Sequence, residues 1–172
     1  SYLIIILYNN NKIMSDNFSL IIKNGSCYID GKLTKTDVGL SDNKIKKIGK
    51  IELNSAKVYD ATDKVVLPGI IDTQVHFREP GSTDAEDLES GSRAAVLGGV
   101  TSLFEMPNTN PPTSNLVEFD KKLIAAKNRM HSNYAFYFGA TPDNTDQLAK
   151  LKDVEGCCGV KLFAGSSTGN LL

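Results

Sequence analysis

Apolar and polar positions follow two different rhythms along this chain, and the rhythm changes at Pro68-Gly69. Upstream, the apolar runs are short and rich in β-branched residues: 18–22, 27–29, 38–40, 45–48 and 58–60. Between them stand Asn24-Gly25, Asp30-Gly31, Asp42-Asn43 and Gly49, residue types that tolerate the left-handed backbone of tight turns. Short strands with tight turns and no helical period predict a small β-sandwich or meander over residues 14–67.

Downstream, strand-length apolar runs alternate with amphipathic stretches. Strands are expected at 70–77, 100–106, 134–138 and 159–163. The first helix is expected to start at a capping box, Thr83 to Glu86, and to end at Gly98-Gly99. The second is expected to be capped by Thr113 or Ser114, with Leu116, Phe119, Leu123 and Met130 on its apolar face. A short helix at 146–153 would bury Leu148 and Leu151. Repeated β-then-α units imply a parallel sheet with right-handed crossovers, doubly wound or a (β/α)8 barrel. Four such strands cannot close a barrel, which typically takes ~250 residues. Residues 68–172 therefore read as the first half of one. Alone, that half would expose a parallel edge and be inactive.

The N-terminal residues stand apart. Residues 2–8 are strongly apolar but far shorter than the ~20 needed to span a bilayer. No basic residue precedes them and no small-residue cleavage site follows. An Asn run leads to Met14, where ordinary globular sequence begins, so residues 1–13 are expected to be upstream translation or a disordered extension.

Composition narrows the function classes. A formal net charge of −1 offers no electrostatic reason for a nucleic acid or an anionic membrane as partner. Cys27, Cys157 and Cys158 are odd in number, and two are adjacent, which is no disulfide framework. A reducing cytoplasm is the simplest compartment, with the cysteines as small buried hydrophobes.

Three segments could carry chemistry. In the first, Asp72, Gln74, His76 and Arg78 fall on one face of a strand. At the carboxyl end of a barrel strand, an imidazole beside a guanidinium suits a metal-bound nucleophile facing an anionic substrate. A strand-end His is otherwise a structural hydrogen-bonder, and a lone Arg a solvated surface group. In the second, Asn108 follows Pro107 at a strand end; it could bond a substrate carboxylate or amide, or serve the turn. In the third, Lys161 stands among Val160, Leu162 and Phe163. An ammonium on a buried strand is costly unless neutralised or modified, and a neutral amine can add carbon dioxide to become a carbamate. Alternatively, Lys161 snorkels to solvent at the rim. The loop at 165–169 resembles an anion-binding backbone loop without the full phosphate-loop pattern.

Taken together, HFREPG at 76–81, MPNTNPPT at 106–113 and GVKLFAGSSTGN at 159–170 resemble the dihydroorotase family of amidohydrolases, from about Phe18 onward. The resemblance implies a composite β-sandwich with a (β/α)8 barrel. It implies interconversion of N-carbamoyl-L-aspartate and (S)-dihydroorotate in pyrimidine biosynthesis, with one or two divalent ions, usually zinc. By the same resemblance, His76 is a metal ligand and Lys161 a carboxylated lysine bridging metals. Arg78 and Asn108 would grip the substrate carboxylate. The general acid/base Asp and two further His ligands are expected beyond residue 172, since His131, at a helix end, is no ligand. A homo-oligomer, with aspartate carbamoyltransferase as a further partner, is also implied.

Arg78 favours this family over its relatives: allantoinases carry Asn at that position, and dihydropyrimidinases lack the FREPG run. One departure stands out. Gln74 occupies the first position of the family's His-x-His pair, and an amide is a weak zinc ligand beside imidazole. It remains a candidate ligand, and it also fits a non-catalytic subunit that scaffolds aspartate carbamoyltransferase.

Overall fold

In a computed structural model of the protein, residues 2–5, 17–52, 57–167 and 171 are described. The chain divides into two compact units, Ser1–Ile70 and Ile71–Leu172.

The first unit is a six-stranded mixed sheet in the order β1-β6-β2-β3-β4, with β5 also on β2. Its strands are β1 (Tyr2–Ile5), β2 (Leu20–Ile29), β3 (Lys32–Ser41), β4 (Lys44–Ile48), β5 (Lys57–Asp60) and β6 (Val65–Pro68). Two of the expected turns form. Asp30-Gly31 (φ 46° and 83°) closes the antiparallel β2–β3 hairpin, and Asp42-Asn43 (φ 52° and 57°) closes β3–β4. The third does not: Asn24-Gly25 lies inside β2, where the register against β3 shifts.

The reason lies in how β2 is shared. Its first half pairs in parallel with β5 and its second half with β6, so the strand changes partner at Asn24-Gly25. Asn24 takes a left-handed φ of 63° there. A Cβ on Gly25 would stand 2.6 Å from Val66 Cγ2. Buried Asp37 secures the kink, accepting from Asn24 N, Ile51 N and Lys23 Nζ, each at 3.0 Å. Burial opposes its ionisation, yet these donors hold its carboxyl below the usual range. The parallel returns of β5 and β6 make this a mixed sheet and not a meander. Within the 1–13 stretch, Tyr2–Ile5 pair in parallel with β6; residues 6–13 lie outside the described residues.

The second unit is a four-stranded sheet in the order β10-β9-β8-β7. It comprises β7 (Ile70–Val75), α1 (Leu88–Leu97), β8 (Val100–Glu105), α2 (Leu116–Ala126), β9 (Asn133–Gly139), a short 3-10 helix (Leu148–Asp153) and β10 (Cys157–Lys161). β8, β9 and β10 run parallel in chain order with helical crossovers, as half of a TIM-type barrel requires. One face of the sheet meets the helices around Leu88, Leu103, Phe119, Phe136, Phe138 and Leu151.

Both helix starts differ from expectation. α1 begins at Asp87, whose side chain accepts from Ser90 N in a reciprocal capping box, and not at the Thr83–Glu86 pattern. α2 is capped by Asn115, accepting from Glu118 N, and not by Thr113 or Ser114. Thr113 is instead buried, bonding backbone to Pro107 and Gly139. Leu116 is exposed, while Lys122 takes a buried place in the stripe between Phe119 and Ala126. α1 does end at Gly98, as expected.

Candidate active site

Register places the chemistry. Met106 N donates to Val75 O at 2.9 Å, which in a parallel ladder sets His76 beside Met106 and Gln74 beside Phe104. Phe104 pairs with Ala135, Tyr137 with Gly159, and Gly139 with Lys161. Alternation therefore carries Gln74, His76, Phe104, Tyr137 and Lys161 on one face of the sheet, opposite the helices. His76 and Lys161 both stand at the carboxyl ends of their strands.

Only one pair among the expected residues is in direct contact. His76 Nδ1 lies 2.9 Å from Asn108 Oδ1. A carbonyl oxygen only accepts, so Nδ1 carries the proton and donates, leaving the Nε2 lone pair available. Asn108 retains its NH2 group for another acceptor. Gln74 and Arg78 are exposed, and their side chains bond no described residue. Lys161 Nζ lies 5.0 Å from the ring centre of Phe163, with no ion pair among the described residues. Val160 and Leu162, expected to be buried, are 42% and 67% exposed, because β10 has a neighbour on one side only. Ile70 and Ile71 are exposed for the same reason at the other edge. Of the loop at 165–169, residues 168 and 169 lie outside the described residues.

Sequence reasoning assigned no role to the groups that hold this face in place. Phe77 packs into the helix-side core against Gly91, where a Cβ would come within 2.4 Å of the ring. Glu79 turns inward: Arg129 Nη1 and Nη2 donate to its two oxygens at 2.6 and 2.9 Å, and Leu88 N donates at 3.0 Å. Burial works against its charge, but Arg129 and the amide prevail and keep the carboxyl below its usual range. Across the sheet, Glu105 and Lys122 form an ion pair at 3.2 Å, both almost fully buried. Burial pushes Glu105 up to about 7 and Lys122 downward, each partly opposed by its partner. The placement of Lys122 within an apolar stripe was the signal that could have revealed this pair. His131 is half exposed and bonds Glu89 at 2.9 Å, near the amino end of β9 and not at a strand carboxyl end.

Among the described residues no group of three or more His, Cys, Asp or Glu converges on one point. All three cysteines are free, with Cys27 buried and Cys157 and Cys158 half-buried. No helix of the described residues is long and apolar enough to cross a membrane.

A parallel β/α array with helices on one face defines part of a (β/α)8-type barrel of the α/β class. The model of the "Amidohydrolase family" matches residues 65–159, more than half of the chain, and the chain belongs to that family. Among curated proteins, it is 42% identical over 130 residues to a dihydroorotase of Lactobacillus helveticus, covering 74% of this chain and 30% of that protein. It is 40% identical over 154 residues to an allantoinase of Rubrobacter xylanophilus, covering 88% of this chain and 33% of that protein. Among solved structures, the L-hydantoinase (dihydropyrimidinase) of Arthrobacter aurescens superposes with a TM-score of 0.81 at 30% identity, covering 90% of this chain and 35% of that one. The chain thus spans about a third of the length of the relatives it matches.

Proposed function

We propose that the full-length protein carrying this chain is a dihydroorotase, hydrolysing the cyclic amide of (S)-dihydroorotate to N-carbamoyl-L-aspartate in the cytoplasm. The observation that carries this reading is the exposed guanidinium of Arg78, unpaired among the described residues and two residues beyond the His76–Asn108 contact. A guanidinium fork matches a carboxylate in two parallel bonds, and dihydroorotate bears a carboxylate that allantoin and hydantoin lack. Asn108, through its remaining NH2, would share that carboxylate.

The orientation of His76 supports a divalent ion here, while the described residues bring no cluster of three His, Cys, Asp or Glu ligands to it. A metal-ligating His characteristically donates its other ring nitrogen to a fixed acceptor, and His76 does so to Asn108. His76 Nε2 would be a ligand for zinc, with Lys161 as a carbamate and Gln74 as further candidates. When bound, the ion supplies a polarised carbonyl and an activated water for attack on the ring amide. The amide C–N bond then breaks and the departing nitrogen takes a proton, from a group outside this chain. Lys161 Nζ makes no ion pair among the described residues, so none of their carboxylates occupies the position of the carbamate.

A ring-opener of allantoin or hydantoin is the second reading, favoured by the allantoinase and hydantoinase likenesses. The test is kcat/KM of the full-length protein, with zinc and bicarbonate, on dihydroorotate, allantoin and hydantoin. Preference for dihydroorotate, abolished by His76→Ala and Lys161→Ala, is expected. Preference for either uncharged ring would overturn the proposal. Absence of all turnover from a folded, metal-loaded protein would move the reading to the scaffold subunit that Gln74 allows.

A further inference from the structure

Glu79 follows Arg78 directly, in a turn tied by Ser82 N donating to Arg78 O at 2.8 Å. Opposite charges on adjacent exposed residues would normally compete with any anionic ligand for each other. Here the carboxylate is taken elsewhere. Arg129, just past the end of α2, grips both Glu79 oxygens, and its Nη1 also donates to Ala125 O at 3.1 Å. Arg129 Nη2 lies a further 3.6 Å from Asp87, the N-cap of α1. The Glu79 side chain is 16% exposed, whereas Arg78 is exposed and without a partner among the described residues.

We propose that Arg129 is a positioning residue that sets the charge preference of the site: by holding Glu79 it leaves the Arg78 guanidinium unpaired for an anionic substrate. The inference rests on the reading of Arg78 as the carboxylate-gripping group. Arg129 reaches this role from a different β/α unit, so the docking of α2 beside α1 decides what the turn after β7 can bind. Lysine could not replace it, because one ammonium cannot hold both oxygens in a fork.

The test is steady-state kinetics of the full-length protein with dihydroorotate in four forms: wild type, Arg129→Met, Arg129→Met with Glu79→Gln, and Arg78→Leu. Arg129→Met frees a charged Glu79 beside Arg78. It is expected to raise KM about three- to fivefold, as far as a competing exposed ion pair reaches, with kcat within about twofold. Neutralising the freed carboxylate in the double variant is expected to return KM close to wild type. If Arg129→Met does not fold, Arg129→Gln, which keeps a donor for Ala125 O, takes its place with the same expectation. An unchanged KM, or a raised KM that Glu79→Gln does not restore while kcat and Tm fall together, would overturn the inference and reduce Arg129 to a structural clamp. If Arg78→Leu leaves KM unchanged, the carboxylate-gripping reading itself fails. If Arg78→Leu raises KM and Arg129→Met does not, only the present inference fails.

Discussion

Glu105 and Lys122 face each other at 3.2 Å with side chains 2% and 1% exposed, and among the described residues neither has a hydrogen-bond partner beyond this contact. Lys122 Nζ also lies 5.4 Å from the ring centre of Phe136, so the pair is enclosed by apolar core. Charges buried with so few bonds are tolerated because each offsets the other.

Removing one partner is therefore worse than removing both. Lys122→Met is expected to destabilise the full-length protein by about 3–5 kcal/mol, because Glu105 is left buried and uncompensated. Lys122→Met combined with Glu105→Leu is expected to recover most of that loss. Urea denaturation midpoints of the three proteins check the pattern; a double variant no better than the single one would contradict it.

The same pair gives a pH dependence of known sign. Glu105 is raised from 4.5 to about 7, so between these values the folded protein keeps a proton that the unfolded chain has released. The contribution of Glu105 to stability is then greatest below pH 4.5 and is lost as pH rises to about 7. Thermal unfolding from pH 4.5 to 7 should show Tm of the wild type falling relative to that of Glu105→Gln as pH rises. A constant difference across that window would show that Glu105 titrates normally.

Asn108 fixes the tautomer of His76. Asn108→Ala is expected to weaken divalent-metal binding by about 10- to 100-fold, while Asn108→Asp, which keeps an acceptor, retains more of it. Metal titration followed by calorimetry provides the readout, independently of turnover.

Gly91 admits Phe77 to the core. Gly91→Ala places a methyl group 2.4–2.5 Å from Phe77 ring atoms and 2.9 Å from Glu86 Cδ. A destabilisation of about 1–3 kcal/mol is expected, as for other overpacked sites. Because Phe77 adjoins His76, KM should rise with the fall in Tm. A Tm equal to wild type would mean that the ring moves aside freely.

Much of this architecture was legible from patterning alone. The change of rhythm at Pro68-Gly69 separated short strands from β/α units, and β7 to β10 with their helices follow it in the chain. The strand carrying His76 was readable because alternation is a property of the local backbone. The hairpins at Asp30-Gly31 and Asp42-Asn43 followed from residue types that accept positive φ. Helix starts were less legible. Asp87 and Asn115 prevailed over equally plausible caps nearby, since the choice depended on where Glu79 and the buried Thr113 had to sit.

The sequence by itself determined which residues alternate onto the His76 face, where turns are permitted, and which motif resembles which family. Those features depend on neighbours a few positions away. Only tertiary structure decided that Asn24-Gly25 would be a kink in a shared strand and not a hairpin, because β5 and β6 both claim β2. Only tertiary structure joined His76 to Asn108, Glu79 to Arg129 and Glu105 to Lys122, residues separated by 32, 50 and 17 positions. The physical reason is common to all three pairs. A buried or ordered polar group takes whatever partner packing brings within bonding distance, and packing is settled by the whole fold.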